Sequence, residues 1–269
     1  GLVQCIEQTI QVRHERRYQP YPVNCRTIDC SFSSVFSSAA AQHVIVEDNS
    51  VNKKTGVRAH QADQTKARIL KAAVTVFARD GYAGGRIEQI SKEAESNDRM
   101  IYYYFSSKEN LFVQVLEHTY EAFNLAESTC RPDLSSPVAA LREQVAFFWN
   151  YYVKHPEFVA ILTIENLHKG KHARQSRELG RLSATTVGVI RPIIEAGQRM
   201  GIFRLDVEIN HVYLMIASLC YFYNSNQHTL TSFLGQDLAD KGQQQDWLAF
   251  ISDLVIRGVM TLPGAANGQ

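Results

Sequence analysis

The stretch RIEQISKEAESNDRMIYYYF, Arg86 to Phe105, decides the fold. Ile87, Ile90 and Ala94 recur at helical spacing, while Glu88, Gln89, Lys92 and Glu93 fill the opposite face. Three polar residues, Glu95, Ser96 and Asn97, interrupt the pattern. A second short helix then turns Ile101 and Phe105 inward at i and i+4 and leaves Arg99, Tyr102 and Tyr103 outside. Asn97 is placed to cap it, because its amide oxygen can accept from the first free backbone N–H groups. Two short helices joined by a tight turn, the second too polar for a core, make a helix-turn-helix. In that motif the second helix enters the major groove with its N-terminal residues at the base edges.

Working outward, the preceding segment TKARILKAAVTVFARDGYAGG predicts a helix from about Ala62 to Asp80, with Ile69, Leu70, Ala73, Val74 and Phe77 on one stripe. Gly81 follows as a residue that can take the left-handed conformation. Downstream, Ser107 caps a longer helix with Leu111, Phe112, Val115 and Leu116 on its apolar face. Lys108 falls in the first turn of that helix, against the macrodipole, where an external anion such as phosphate can be its partner.

The rest of the chain reads as helices too: Pro137 to His155, Glu157 to His168, Ser176 to Met200, a helix capped by Asp206 and running to about Asn226, and Trp247 to Val259. Gly180 and Pro192 are expected to kink the third of these. No alternation suited to strands competes, so the fold class is all-α. Residues 1 to 60 lack any sustained period and contain SFSSVFSSAAAQ, as a disordered extension or a segment foreign to the native protein would. Lys53, Lys54 and Arg58, just ahead of the first helix, suit either a solvated tail or an arm reaching a minor groove.

Composition narrows the function. The 269 residues carry a net charge of only +1, so general affinity for polyanions is not expected. Residues 61 to 117 hold eight basic and eight acidic side chains, and DNA affinity must come from local placement. Five cysteines (Cys5, Cys25, Cys30, Cys130, Cys220) are scattered without zinc-ligand spacing, as free thiols in a reducing compartment are. No apolar run reaches the length of a membrane span and no secretory leader is evident, so a cytoplasmic location is expected.

Catalytic constellations are weak. No Ser-His-Asp or Cys-His arrangement has supporting context, no glycine loop could cradle phosphate, and no cofactor is implied. Glu165-x-x-His168 and Glu208-x-x-His211 have the i, i+3 spacing of carboxylate-bridged dimetal sites, with Glu143 and Glu195 as the further carboxylates, which keeps a helical metalloenzyme as an alternative. The basic knot His168, Lys169, Lys171, His172 and Arg174 reads as a solvated loop or as a contact for an anionic ligand. The aromatic and amide-rich segments FFWNYYVKH and LCYFYNSNQH suit a small-molecule pocket, with Trp149, Asn166, Cys220, Tyr223 and Asn224 as candidate effector contacts.

Several of these elements, in this order, resemble the TetR family of bacterial transcriptional regulators: the Gly81-Tyr82 pair closing the first helix, the Tyr102-x-x-Phe105 end of the recognition helix, and the Ser107-Lys108-Glu109 that opens the next. The C-terminal half, with HPEFVAILTIENLHKGKH and IASLCYFY, is similar to the branch typified by the repressor of pyrimidine utilisation. Two departures stand out. Glu95-Ser96 occupies a turn where the family has Gly and an apolar residue, and Gly85 stands where it favours a phosphate-contacting Thr, with Arg86 beside it as a replacement. The resemblance implies a three-helix DNA-binding domain over 61–110 and a domain over 111–262 that binds a small effector and dimerises. Candidate DNA contacts are Arg86, Asn97, Arg99, Met100, Tyr102, Tyr103 and Lys108. The implied partners are a double-stranded operator, an effector of unknown identity and a second copy of the chain. A regulator that has lost DNA binding is the other alternative. One recognition helix reads too few base pairs for specificity, so two half-sites about one helical turn apart must be engaged together.

Overall fold

The computed structural model describes residues 52–261, apart from the side chains of 52–59 and 183–187. The chain runs through α1 (Asn52–Gly84), α2 (Ile87–Glu93), α3 (Asp98–Phe105), α4 (Lys108–Ser128), α5 (Pro137–Lys154) and α6 (Pro156–Leu167). A 3₁₀ turn at Ala173–Gln175 leads into α7 (Arg177–Arg199), α8 (Ile209–Leu234) and α9 (Lys241–Val259). Among the described residues there is no strand; a single antiparallel bridge joins Phe203 to Met260. None of the described helices is long and apolar enough to cross a membrane. Most of the 1–60 segment lies outside the described residues.

Two apolar clusters organise the helices. The first joins Ile69 and Phe77 of α1, Ile90 of α2, Ile101 and Phe105 of α3, and Leu111, Phe112 and Val115 of α4, all essentially inaccessible. It also takes in Ile161 and Ile164 of α6 and Leu179 of α7, so the C-terminal helices contribute to the packing of the N-terminal ones. The second cluster fills the bundle of α4 to α9 around Phe148, Trp149, Phe158, Ile193, Ile216 and Ile251.

Several element boundaries depart from the expected ones. α1 starts at Asn52 rather than Ala62, because no proline interrupts the run and Lys, Arg, Ala and Gln there favour helix. Gly81 has the expected positive φ of 73°, but its ψ of 174° is extended rather than left-handed, a combination open to glycine. The chain bends there and makes one more turn to Gly84, with the Gly85 N–H on the Gly81 carbonyl at 2.9 Å. α7 stays continuous through Gly180 and Pro192. Asp206 does not cap α8: Glu208 holds that position without a side-chain bond, and Asp206 lies 3.7 Å from Arg204. α8 continues past Asn226 because polar side chains bond back to carbonyls within the helix, Asn226 Nδ2 to Phe222 O at 2.9 Å and Thr229 Oγ1 to Asn226 O at 3.0 Å. It ends at Gly235, which is left-handed with φ 64°. α9 begins six residues before Trp247, at Lys241, where the Asp240 carboxylate accepts from the Gly242 and Gln243 N–H groups at 2.9 and 3.1 Å.

Candidate functional site

The α2–α3 turn is formed despite its missing glycine. Glu95 takes φ 47°, and the Ser96 N–H donates to Ser91 O at 2.9 Å. The buried Ser91 hydroxyl donates to Asp98 Oδ1 at 2.5 Å, tying the end of α2 to the start of α3. Asn97 caps α3 as its sequence implies, accepting from the Met100 N–H at 3.1 Å. With Ile101 and Phe105 locked inward, Arg99 projects to the surface, Tyr102 is 51% exposed and Tyr103 is 76% exposed. Tyr103 keeps only an edge contact with the Tyr104 ring, centroids 5.1 Å apart, and the rest of its phenol is available to a partner. Met100 is half-buried, and Asn97 keeps only its amide NH2 free of the cap.

Arg86 and Lys108 flank this helix on its two neighbours. Arg86 is exposed at the N-cap of α2, its backbone N–H donating to Gln89 Oε1 at 3.1 Å. Gly85 beside it is a packing requirement: a Cβ there would sit 2.6 Å from Cδ1 of the buried Phe77 ring. Lys108 follows the Ser107 cap, whose hydroxyl accepts from the Asn110 N–H at 3.0 Å. Its Nζ donates to Ala83 O at 3.4 Å and lies 4.8 Å from the Tyr82 ring centroid, and partial burial lowers its pKa. One ammonium donor is thereby committed to the α1 terminus, and two remain for an anion. Arg79, by contrast, is spent on Asp80 at 2.8 Å.

The expected effector residues separate into two groups. Trp149 and Tyr223 meet edge-on with ring centroids 5.1 Å apart, and Tyr223 also packs on Trp247 at 5.5 Å. The Tyr223 hydroxyl donates to Leu238 O at 2.9 Å, and Asn224 Nδ2 donates to Cys220 O at 2.8 Å. Cys220 is fully buried, which pushes its thiol up to about 12. Asn166 stands apart, exposed at the end of α6 and outside this cluster. The bundle also encloses polar groups that the sequence reading passed over. Glu127, 1% exposed, accepts from Gln144 Nε2 at 2.6 Å, and burial lifts its carboxyl to about 8. Burial raises the Tyr152 and Tyr213 hydroxyls and takes Tyr120 up to about 12. Each of these phenols is also disfavoured from ionising by its neighbours in the group. At neutral pH the interior therefore presents protonated oxygens, able to donate and to accept.

The Glu-x-x-His pairs are not metal sites in this fold. Glu165 turns to His172 instead of His168, whose Nδ1 lies 2.8 Å from Ile164 O, and Glu208, His211 and Glu143 are exposed. Among the described residues no three His, Cys, Asp or Glu side chains are grouped to hold a metal. The basic knot is also only partly solvated: His172 is completely buried and Lys171 is paired with Glu109 at 2.8 Å.

Two family models match the chain, bacterial regulatory proteins of the tetR family over residues 69–115 and the tetracyclin repressor-like C-terminal domain over residues 137–255. The HTH-type transcriptional repressor NicS of Pseudomonas putida is 67% identical over 207 residues, covering 77% of this chain and 98% of that protein. The HTH-type transcriptional regulator RutR of Escherichia coli is 30% identical over 115 residues, 43% of this chain and 54% of that protein. The solved structure of the transcriptional regulator SCO4942 from Streptomyces coelicolor shares the fold, with a TM-score of 0.55 at 23% identity over 72% of this chain and 98% of that one. With its helix-turn-helix intact and both halves matched, the chain belongs to the TetR family of bacterial transcriptional regulators.

Proposed function

We propose that this regulator is a ligand-responsive repressor that binds a palindromic operator as a homodimer, with α3 in the major groove. The observation that carries the reading is the outward row on α3, Arg99, Tyr102 and Tyr103, held by the buried Ile101 and Phe105. Arg99 and Tyr103 face base edges in this docking, with Asn97 and Met100 at the same helix end. Tyr102, Arg86 and Lys108 hold phosphate on either side.

Dimerisation is assigned to α8 and α9. Both leave large apolar side chains outside the bundle, including Leu214, Phe222 (57% exposed) and Phe250 (58% exposed). Apolar surface of this kind on two adjacent helices suits burial against the same surface of a second copy. The effector is assigned to the interior between α4, α5 and α8. Trp149, Cys220 and Tyr223 form an apolar wall there, and the Asn224 amide, the Glu127–Gln144 pair and Tyr152 supply polar anchors; Asn166 belongs at most to the rim.

The two activities are joined by α4. It begins at Lys108 and carries Tyr120, Phe123 and Glu127 into the bundle, the last of them about 28 Å further on at 1.5 Å per residue. Operator half-sites lie at a spacing fixed by the duplex, so a ligand that favours another separation of the recognition helices must weaken DNA binding by its differential affinity, typically ~1–3 kcal/mol. The same coupling acts in reverse, and DNA must weaken the ligand equally. The test is a small-molecule thermal-shift screen, followed by titration of any hit with and without saturating operator. Weaker binding with DNA present is expected. Equal affinities would refute the coupling, and tighter binding would make the ligand a co-repressor.

A further inference from the structure

The loop from His168 to Ser176 carries a buried carboxylate–imidazole pair that the operator-binding reading does not use. The Glu165 carboxylate, on the last turn of α6, accepts from the His172 and Ala173 backbone N–H groups, both at 2.8 Å, through Oε1. Its Oε2 lies 2.7 Å from His172 Nδ1. With Oε2 accepting, Nδ1 carries the proton and Nε2 is the free end of the ring. Nε2 is buried and has no hydrogen-bond partner. The imidazole is 0% exposed and caged by the Tyr82, Phe112 and His168 rings at centroid distances of 4.8, 4.9 and 5.3 Å. An apolar side chain would suit this cage at less cost, and an unsatisfied buried nitrogen kept in it calls for a reason.

The surroundings supply one. Tyr82, against which His172 packs, is also the ring that receives Lys108 Nζ at 4.8 Å, and it directly precedes Ala83, whose carbonyl Lys108 binds. The same loop is stitched to the first turns of α4, Lys171 to Glu109 at 2.8 Å and the Ser176 hydroxyl to Glu117 at 2.5 Å. α6 also meets the bundle interior along its length: Thr163 Oγ1, two residues before Glu165, lies 2.8 Å from the Tyr221 hydroxyl, and Phe158 at the N-terminal end sits in the aromatic core.

We propose that Glu165 and His172 are positioning residues for DNA binding: through Tyr82 they set the placement of Lys108, making the α6 end a second connection, besides α4, between the bundle interior and the operator. This rests on the docking proposed above, in which Lys108 holds phosphate. Any displacement of α6 carries Glu165 with it, and His172 must follow because three hydrogen bonds bind the loop to that one carboxylate.

The test is a double-mutant cycle on the full chain, with a duplex selected by the wild-type protein from a random-sequence pool. His172→Phe keeps an aromatic ring in the cage and deletes the bond to Glu165. Glu165→Gln keeps an acceptor for the two backbone N–H groups but moves the ring proton to Nε2, where it has no partner. Each is expected to weaken DNA binding at least about five-fold, at all sequences alike, in a protein that remains folded at the assay temperature. On a Lys108→Ala background either substitution should have little further effect, since the contact it positions is gone. If Lys108→Ala itself leaves affinity unchanged, the docking reading fails. If Lys108→Ala weakens binding but the His172 and Glu165 effects are absent, or add to it in full, the positioning role is overturned. Loss of folding in both variants would likewise leave only a structural role and overturn it.

Discussion

Glu127→Gln should change how the stability of this protein responds to pH, while leaving its fold in place. Glu127 is buried among phenols, and the one described hydrogen bond to its carboxyl is donated by Gln144 at 2.6 Å. Burial moves its carboxyl from the ordinary value of 4.5 to about 8. In the unfolded chain the group loses its proton near pH 4.5; in the folded protein it keeps that proton until about pH 8. The folded state thus binds the extra proton throughout this window, so stability falls as pH rises through it, by at most about 1.4 kcal/mol per pH unit. Across the whole window the loss is at most on the order of 5 kcal/mol. Glutamine mimics the protonated acid at every pH and retains an acceptor for Gln144. Its stability advantage over the wild type should therefore be small near pH 5 and grow steadily toward pH 8. Chemical denaturation at fixed protein concentration, at pH 5, 6, 7 and 8, reads this directly. Parallel pH profiles for the two proteins would refute the assignment of a buried, protonated Glu127.

Three further outcomes follow from substitutions elsewhere in the chain. Gly197→Ala should destabilise by about 1–3 kcal/mol, because a Cβ there falls 2.0 Å from the buried Phe203 ring; an unchanged denaturation midpoint would contradict that packing. Glu95→Gly should raise stability by about 1 kcal/mol by relieving a positive φ of 47°, and a lower midpoint would show that Glu95 makes a compensating contact. Phe222→Asp together with Phe250→Asp should convert a dimer to a folded monomer in sedimentation equilibrium and weaken operator binding, whereas an intact dimer would place the interface elsewhere.

The helix-turn-helix was legible because its signals are local. Alternation of Ile87, Ile90 and Ala94, the Asn97 cap, and the inward Ile101 and Phe105 all depend on residues a turn apart, and the structure realises each one. The helix ends near Asn226 and Trp247 were less legible, since an amide that bonds back within a helix looks the same in sequence as one in a loop. Glu165 shows the limit most clearly. Its spacing to His168 suggested a metal pair, but the partner it takes is His172, set by how the following loop folds back. Glu127 and Gln144 had a usable signal that went unread: Leu116, Tyr120, Phe123 and Glu127 lie on one face of α4, and Gln144 shares a face with Leu141 and Phe148. A polar residue in register with a buried stripe marks a buried polar group. Asn166 has the opposite history, an amide in an apolar helix that ends up exposed at the terminus.

The central claim is that α3 reads DNA through its exposed row, and its sharpest test compares two single variants across salt and sequence. Operator affinities of wild type, Arg99→Ala and Lys108→Ala should be measured over a range of salt concentrations, on the selected duplex and on single-base-pair variants of it. Arg99→Ala should relax discrimination at one position in each half-site by about 1–3 kcal/mol. Lys108→Ala should weaken binding to every duplex alike and reduce the salt slope by about one unit. Both variants binding with wild-type affinity, sequence preference and salt slope would contradict the claim.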